Sequence, residues 1–425
     1  MKSLPVLSSN TQLGIQQQLR KLYKRIVEYS GIIPDLRFND TSYQGLRNYL
    51  DPIHRKTQKC EFGVGRYNTD LAPLIANAYI GAVYAPTLNR IYLVPFEISN
   101  QASWHYIDCN TGKVVAYAHN LGVDTPVNQA YTWGGYDPYN DILWFTPANQ
   151  GTQSKWHYVD GKTGKVVAYE HGTGVTVDHP YYSAIYSPKQ NRMYLVPLLQ
   201  FDQGNYHYID CETKTVVAYT PTNPLPSISV GGSYDPINDR IYFAPWPFPP
   251  TSNDGFSYIN CKDGSVETLV SDEIVQAAYA GAIFSPTLRR IYFIPYRQTV
   301  NDLWHYIDCD TNEVVLYNHG VTIVDYGYNG GAYSAASNRI YFSPFLQYNE
   351  TYWHYIDCNT GEVAAYISEN KFQCTGAVYV PNLSRVYLTP SLSGTASSDW
   401  IFIQEYTDVE VSRSLSGGCL YNKTP

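Results

Sequence analysis

The stretch WHYIDCNTGKVVAY, residues 104–117, decides the fold because the chain writes it again and again. Residues 156–169 read WHYVDGKTGKVVAY, 206–219 YHYIDCETKTVVAY, 304–317 WHYIDCDTNEVVLY and 353–366 WHYIDCNTGEVAAY. One copy, with His, Asp, Cys and Lys within ten positions, would suit a catalytic or metal site. Five copies suit architecture. The period confirms this reading. The prolines that end the IYxxP-like phrases are Pro95, Pro147, Pro197, Pro245, Pro295, Pro344 and Pro390, spaced by 52, 50, 48, 50, 49 and 46 residues. Those are intervals of propeller-blade length.

Each unit carries four phrases rich in Val, Ile and Tyr, bounded by turn residues such as PTLN and NTG, which read as four antiparallel strands. The expected fold is therefore all-β, a seven-bladed β-propeller with a short N-terminal helical segment. Blades are expected over about 78–119, 130–171, 180–220, 230–270, 278–319, 329–368 and 374–415. Small pairs recur in the first phrase, from Gly81-Ala82 to Gly376-Ala377, as crowding of seven innermost strands around one axis requires. In the last unit TDVEVSRSL, 407–415, reads as the fourth strand, with EFGVGRY, 61–67, a candidate to add or exchange one.

The layout resembles the YVTN-type family of seven-bladed propellers, in which a strand reads V-x-V-I-D-x-x-T-G-K-V-V. The likeness covers about residues 78–412 and implies the fold; it departs in its Trp-His-Tyr lead and its NRIYLVP phrase. SPTLNRIYLVP-like wording is also similar to repeat proteins of large phages and giant viruses.

Two segments follow from the pattern, 1–60 and 61–425. The first holds 10 Lys+Arg against 4 Asp+Glu, leaving 19 against 33 for the rest. A basic tail on an acidic body argues against nucleic acid as the body's partner. Within the tail, Ile15, Leu19, Leu22 and Ile26 form one helical face, with Arg20 and Lys24 elsewhere. The segment reads as an attachment device, in cis or in trans, or as a helix packed on the propeller. No apolar run is long enough to cross a bilayer and no signal-peptide core opens the chain. Synthesis in the cytoplasm is expected, compatible with later placement in a virion.

Chemical motifs are few. His105, His157, His207, His305 and His354 are repeat residues, read as core histidines with hydrogen-bond partners. His119, His171 and His319 recur after the fourth strand, where they would either ring the axis and bind a metal or occupy outward turns. Cys109, Cys211, Cys261, Cys309 and Cys358 hold equivalent places too far apart for disulfides and read as buried thiols. DCDTNEVVLYNH from Asp308 partly matches a calcium loop but lacks its glycine and glutamate. Asp137 and Asp235 interrupt the repeat as turn formers. Sequons at Asn39, Asn349, Asn382 and Asn422 are expected to be unused. No catalytic residue, cofactor or metal is expected.

Variation concentrates in the second-to-third and fourth-to-first connections, which lie on one face. Their aromatics, Trp246, Phe248, Tyr296, Tyr326, Tyr328, Tyr348, Tyr181 and Tyr182, are the candidate contacts for a partner. The expectation is a non-enzymatic assembly or recognition module, most simply a virion structural or appendage protein. Other protein subunits, copies of itself, or a glycan or surface receptor would be its partners. A propeller hydrolase or lactonase and a sugar-binding lectin are the alternatives.

Overall fold

A computed structural model describes residues 62–68, 77–150, 153–172, 180–198, 205–221, 223, 229–246, 255–269, 271, 277–297, 303–368, 372–391 and 399–405. The helical segment expected around Ile15, Leu19, Leu22 and Ile26 and the strand expected at 407–415 lie outside them. Contacts divide the chain into Met1–Glu61 and Phe62–Pro425. The second unit is all-β: seven four-stranded antiparallel sheets, the first six in chain order from the innermost strand a to the outermost strand d. In blade 1 these are Tyr79–Ala85, Arg90–Pro95, Ser103–Asp108 and Lys113–Ala118. Blades 2 to 6 repeat them, with a strands Tyr131–Asp137, Tyr181–Ser187, Ser229–Asp235, Tyr279–Ser285 and Tyr328–Ser334. Strand a of blade 7, Cys374–Val380, packs back against strand a of blade 1, so the ring closes.

Blade 7 departs from the expectation that it supplies all its own strands. Its outermost strand is Phe62–Asn68, antiparallel to Asp399–Glu405, with Phe62 opposite Glu405 and Asn68 opposite Asp399. An edge of unpaired N–H and C=O groups is thereby covered by the other end of the unit. Glu405 also accepts hydrogen bonds from the hydroxyls of Ser334 and Ser337 in blade 6.

Turn chemistry explains the uniform blade shape. The a–b turn ends in a left-handed residue, including Asn89, Asp141, Asn191, Asp239 and Asn338. Asn and Asp tolerate that conformation. The strand-a tyrosine five positions earlier donates its hydroxyl to their side-chain oxygen at 2.9–3.1 Å. In the c–d turn Asp108 accepts the N–H groups of Asn110 and Thr111 at 2.9 and 3.0 Å. Asp308 does the same for Asp310 and Thr311, which identifies the calcium-loop look-alike as a hairpin turn. Asp137 and Asp235, wholly buried at the end of strand a, cap their own turns. Asn140 and Asn238, bound to them, donate onward to the carbonyls of Cys211 and Cys309 in the next blade.

The repeated histidine has a structural partner. In blades 1 to 6 strands b and c pair only over three residues, Arg90 to Tyr92 in blade 1, and strand b ends at a proline that cannot donate to the ladder. In the wedge beyond, the first tyrosine of strand a reaches the strand-c histidine. Tyr79–His105, Tyr131–His157, Tyr181–His207, Tyr279–His305 and Tyr328–His354 are all O–H to Nδ1 pairs. In blade 2 the Nε2 of His157 donates to the Asp124 carbonyl at 2.8 Å, which makes Nδ1 the acceptor. Blade 4 replaces both members, with Ser229 and Ser257, and blade 7 also replaces both, with Cys374 and Ile401. Joint replacement marks a packing pair.

Other layers repeat as well. Arginine at the start of strand b lies 4.2–4.4 Å from the ring facing it on strand c, as in Arg90 over Tyr106 and Arg290 over Tyr306. The six described cysteines are buried and free, as the sequence suggests.

Candidate functional site

A propeller offers two places for a non-repeated site, the axis and the loop faces. At the axis the third residue of strand a is glycine in five blades, Gly81, Gly231, Gly281, Gly330 and Gly376. Blade 2 puts Trp133 there, and its indole crosses the channel. A Cβ on Gly330 would lie 2.5 Å from Trp133 Cη2, and one on Gly376 2.8 Å from it. The glycines thus make room for one large ring. One residue earlier, Tyr182 of blade 3 donates its hydroxyl to Asn329 Oδ1 of blade 6 at 3.3 Å, also across the axis. Its ring lies 6.4 Å from that of Trp133. The centre is therefore closed by side chains at two levels. Among the described residues, no group of three or more His, Cys, Asp and Glu is placed to hold a metal.

His119, His171 and His319 are corrected by the structure. They neither ring the axis nor point outward. Each packs on the strand-c tryptophan of its own blade, His171 on Trp156 at 4.3 Å and His319 on Trp304 at 3.9 Å, with His119 tilted on Trp104 at 4.6 Å.

The loop face is where the blades differ. The residue after the strand-b proline is a fixed position: its N–H donates to the carbonyl just before strand a, as Phe96 to Ala78, Tyr296 to Ala278 and Phe345 to Gly327. Blades 2, 3 and 7 place Ala148, Leu198 and Ser391 there, whereas blade 1 places Phe96 and the three consecutive blades 4 to 6 place Trp246, Tyr296 and Phe345. These rings touch in series, Trp246 to Tyr296 at 4.8 Å and Tyr296 to Phe345 at 6.0 Å. Tyr326, from the d–a connection of blade 5, meets Tyr296 edge-on at 5.0 Å. All four are half-buried. Burial, with Tyr182, Tyr326 and Asp325 nearby, pushes the Tyr296 phenol up to about 12, so it stays a neutral donor.

Tyr326 has φ +57°, two residues before strand a. Asn77, Gln129 and Ala277 hold the same left-handed place in other blades. A bulky residue is strained there by about 1–3 kcal/mol, so the ring is held at the arc at the expense of local stability. Arg297 lies over the Tyr326 ring at 5.8 Å and pairs with Asp325 at 3.7 Å.

Of the eight aromatics chosen from sequence, Trp246, Tyr296 and Tyr326 come together in this arc. Tyr182 lies in the axis beneath it, and Tyr348 occupies the short 3-10 turn Leu346–Asn349 after Phe345. Phe248 lies outside the described residues. Tyr181 and Tyr328 are corrections: they begin strand a, are wholly buried and serve as the tyrosines of the Tyr–His pairs. Sequence reasoning missed Phe345 and Trp133. The fixed post-proline position would have exposed Phe345, and the one bulky break in the glycine column, beside the small Ser183 of blade 3, would have exposed Trp133.

No family model and no curated protein matches the chain. Solved structures share its fold. A chain in the crystal structure of the mitotic checkpoint complex superposes with a TM-score of 0.54 at 9% identity, covering 81% of this chain and 91% of that one. The β-propeller domain of Cps50 (Swd1) from Myceliophteria thermophila gives a TM-score of 0.51 at 14% identity, covering 79% and 99%. The likeness is one of architecture: a seven-bladed propeller.

Proposed function

We propose that the chain is a non-enzymatic recognition and assembly module that docks a partner protein on the arc formed by Trp246, Tyr296, Tyr326 and Phe345. One observation carries the reading. Three adjacent blades each place a ring after the strand-b proline, those rings touch in series, and a fourth ring is held beside them in a strained backbone. Rigid amphipathic rings are what protein interfaces favour. Both solved relatives in the comparison are propellers described within, or as parts of, larger proteins or complexes, which supports the reading. The hydrolase alternative needs acid, base or metal ligands converging on the axis, where Trp133, Tyr182 and Asn329 stand instead.

The test is affinity capture from the producing cells with the wild type and with Trp246→Ala/Tyr296→Ala. A partner recovered by the first and lost by the second, at unchanged melting temperature, supports the reading. A partner retained by the double variant removes the arc from it. The finer reading is a virion structural or appendage component attached through 1–60, with the YVTN-like and virus-like wording as its support. Its check is the chain's presence in purified particles.

A further inference from the structure

We propose that the arc takes a lysine- or arginine-bearing segment of its partner protein. This deepens the recognition reading above and rests on it. The added observation is the distribution of charge between the two faces. Among the described residues, the connections b–c and d–a, which share the arc's face, carry four acidic residues, Glu97, Asp124, Asp325 and Glu350, and one basic residue, Arg297. The a–b and c–d connections of the opposite face carry six acidic and six basic residues. Among the described connections, the acidic bias lies at the end of the propeller where the aromatic rings stand.

The two features are complementary in what they recognise. A field of one sign attracts and orients a basic segment over roughly 8–10 Å at ordinary salt. Aromatic faces then bind the cation at short range through the ring quadrupole, with Trp the strongest. This chain already uses that contact internally, where Arg192, Arg240 and Arg339 lie 4.4 Å from strand-c tyrosine centroids. At the arc itself Arg297, held by Asp325, lies over Tyr326, so the environment accommodates a guanidinium beside its rings. An acidic segment would be repelled. A neutral sugar would stack on the same rings but gain nothing from the charge bias, and the observations favour the basic protein segment.

The test uses the full chain and three fluorescently labelled 12-residue peptides of glycine and serine, carrying six Lys/Arg, six Gln or six Glu. Anisotropy at low and physiological salt reads the affinity. The basic probe is expected to bind at least tenfold more tightly than the neutral one, and the acidic probe not at all. Trp246→Ala/Tyr296→Ala weakens the basic probe at least tenfold, while Trp246→Phe retains most of the binding. Glu212→Gln/Glu362→Gln, on the opposite face, leaves it unchanged. Circular dichroism and melting establish that each variant is folded. Equal binding of the basic probe to the arc double variant overturns the proposal as plain electrostatic attraction. Equal binding of the neutral probe, or Trp246-dependent binding on a glycan array without basic-probe binding, overturns it as well. If the arc variant loses its captured partner while the basic probe never binds, this inference fails and the recognition reading survives. If the arc variant keeps its partner, the recognition reading is the one that fails.

Discussion

Tyr279 donates its hydroxyl to Nδ1 of His305 at 2.6 Å and accepts the backbone N–H of the same histidine at 2.9 Å. A pair with this 26-residue separation occurs in five blades. It closes the wedge where strand b ends, joining innermost strand to third strand. Tyr279→Phe leaves a buried imidazole acceptor and an N–H without their partner, at about 1–3 kcal/mol. His305→Ile removes the acceptor of the hydroxyl proton while the backbone N–H contact at 305 remains. Tyr279→Cys/His305→Ile imports the blade 7 combination, and denaturant melts are expected to show it less destabilised than the summed singles by about 0.5–3 kcal/mol. Strict additivity would contradict the pairing.

Acid sensitivity follows from the same histidines. Burial pushes His157, His207 and His354 down to about 4 from an ordinary value of 6.5. The unfolded chain therefore binds more protons than the fold between these values. Stability from these groups is complete above pH 6.5 and is lost as pH falls toward about 4. Melting temperature against pH should decline through this window, and less steeply for a folded His354→Gln variant. A curve flat to pH 4.5 would mean that the histidines are not held neutral.

The histidine pairs also show what a sequence discloses. Fold, blade number and the buried role of His105 and its copies were legible because each is stated several times in register. Tyr181 and Tyr328 were misread as loop aromatics because strand a begins at them, not after them. Their 26-residue spacing from His207 and His354 was the available signal. The closing strand Phe62–Asn68 could not be assigned with the same security, because its partner Asp399–Glu405 lies at the far end of the chain and only assembly of the ring brings the two together. The arc was legible in part: its rings stand in connections that vary from blade to blade, but which of them touch depends on loop geometry.

Trp133 and the glycines around it form a second coupled set. Gly330→Ala places a methyl group 2.5 Å from the indole and imposes φ +80° on a side chain, and is expected to cost more than about 2 kcal/mol. Trp133→Ala removes the indole level of the axis and leaves the Tyr182–Asn329 level, at about 3–5 kcal/mol. In the double variant the steric part of the glycine penalty disappears while the backbone strain remains. Full additivity of the two changes would show that the indole does not lie against Gly330.

Ring closure predicts a sharp boundary. A chain beginning at Phe62 retains the outermost strand of blade 7 and should melt as one cooperative unit. A chain beginning at Thr69 exposes the Asp399–Glu405 edge and should melt markedly lower and aggregate. Equal melting of the two would refute closure by this strand.

The thiols give a chemical readout of the packing. Burial raises the Cys109, Cys261 and Cys358 thiols to about 12, and Cys211, Cys309 and Cys374 upward as well. Since the thiolate is the reactive form, these six cysteines should resist a thiol reagent in the native protein and yield to it after unfolding. Rapid native labelling of Cys358 would contradict the blade packing.

The central claim is that a partner protein docks on the arc face, and site-specific photo-crosslinking tests it most directly. A benzophenone side chain is placed at Tyr296, in the arc, or at Tyr139, an exposed residue in an a–b turn of the opposite face. The account predicts a discrete covalent adduct with the captured partner from position 296 and none from position 139. Adducts from position 139 alone would place recognition on the other face and contradict it.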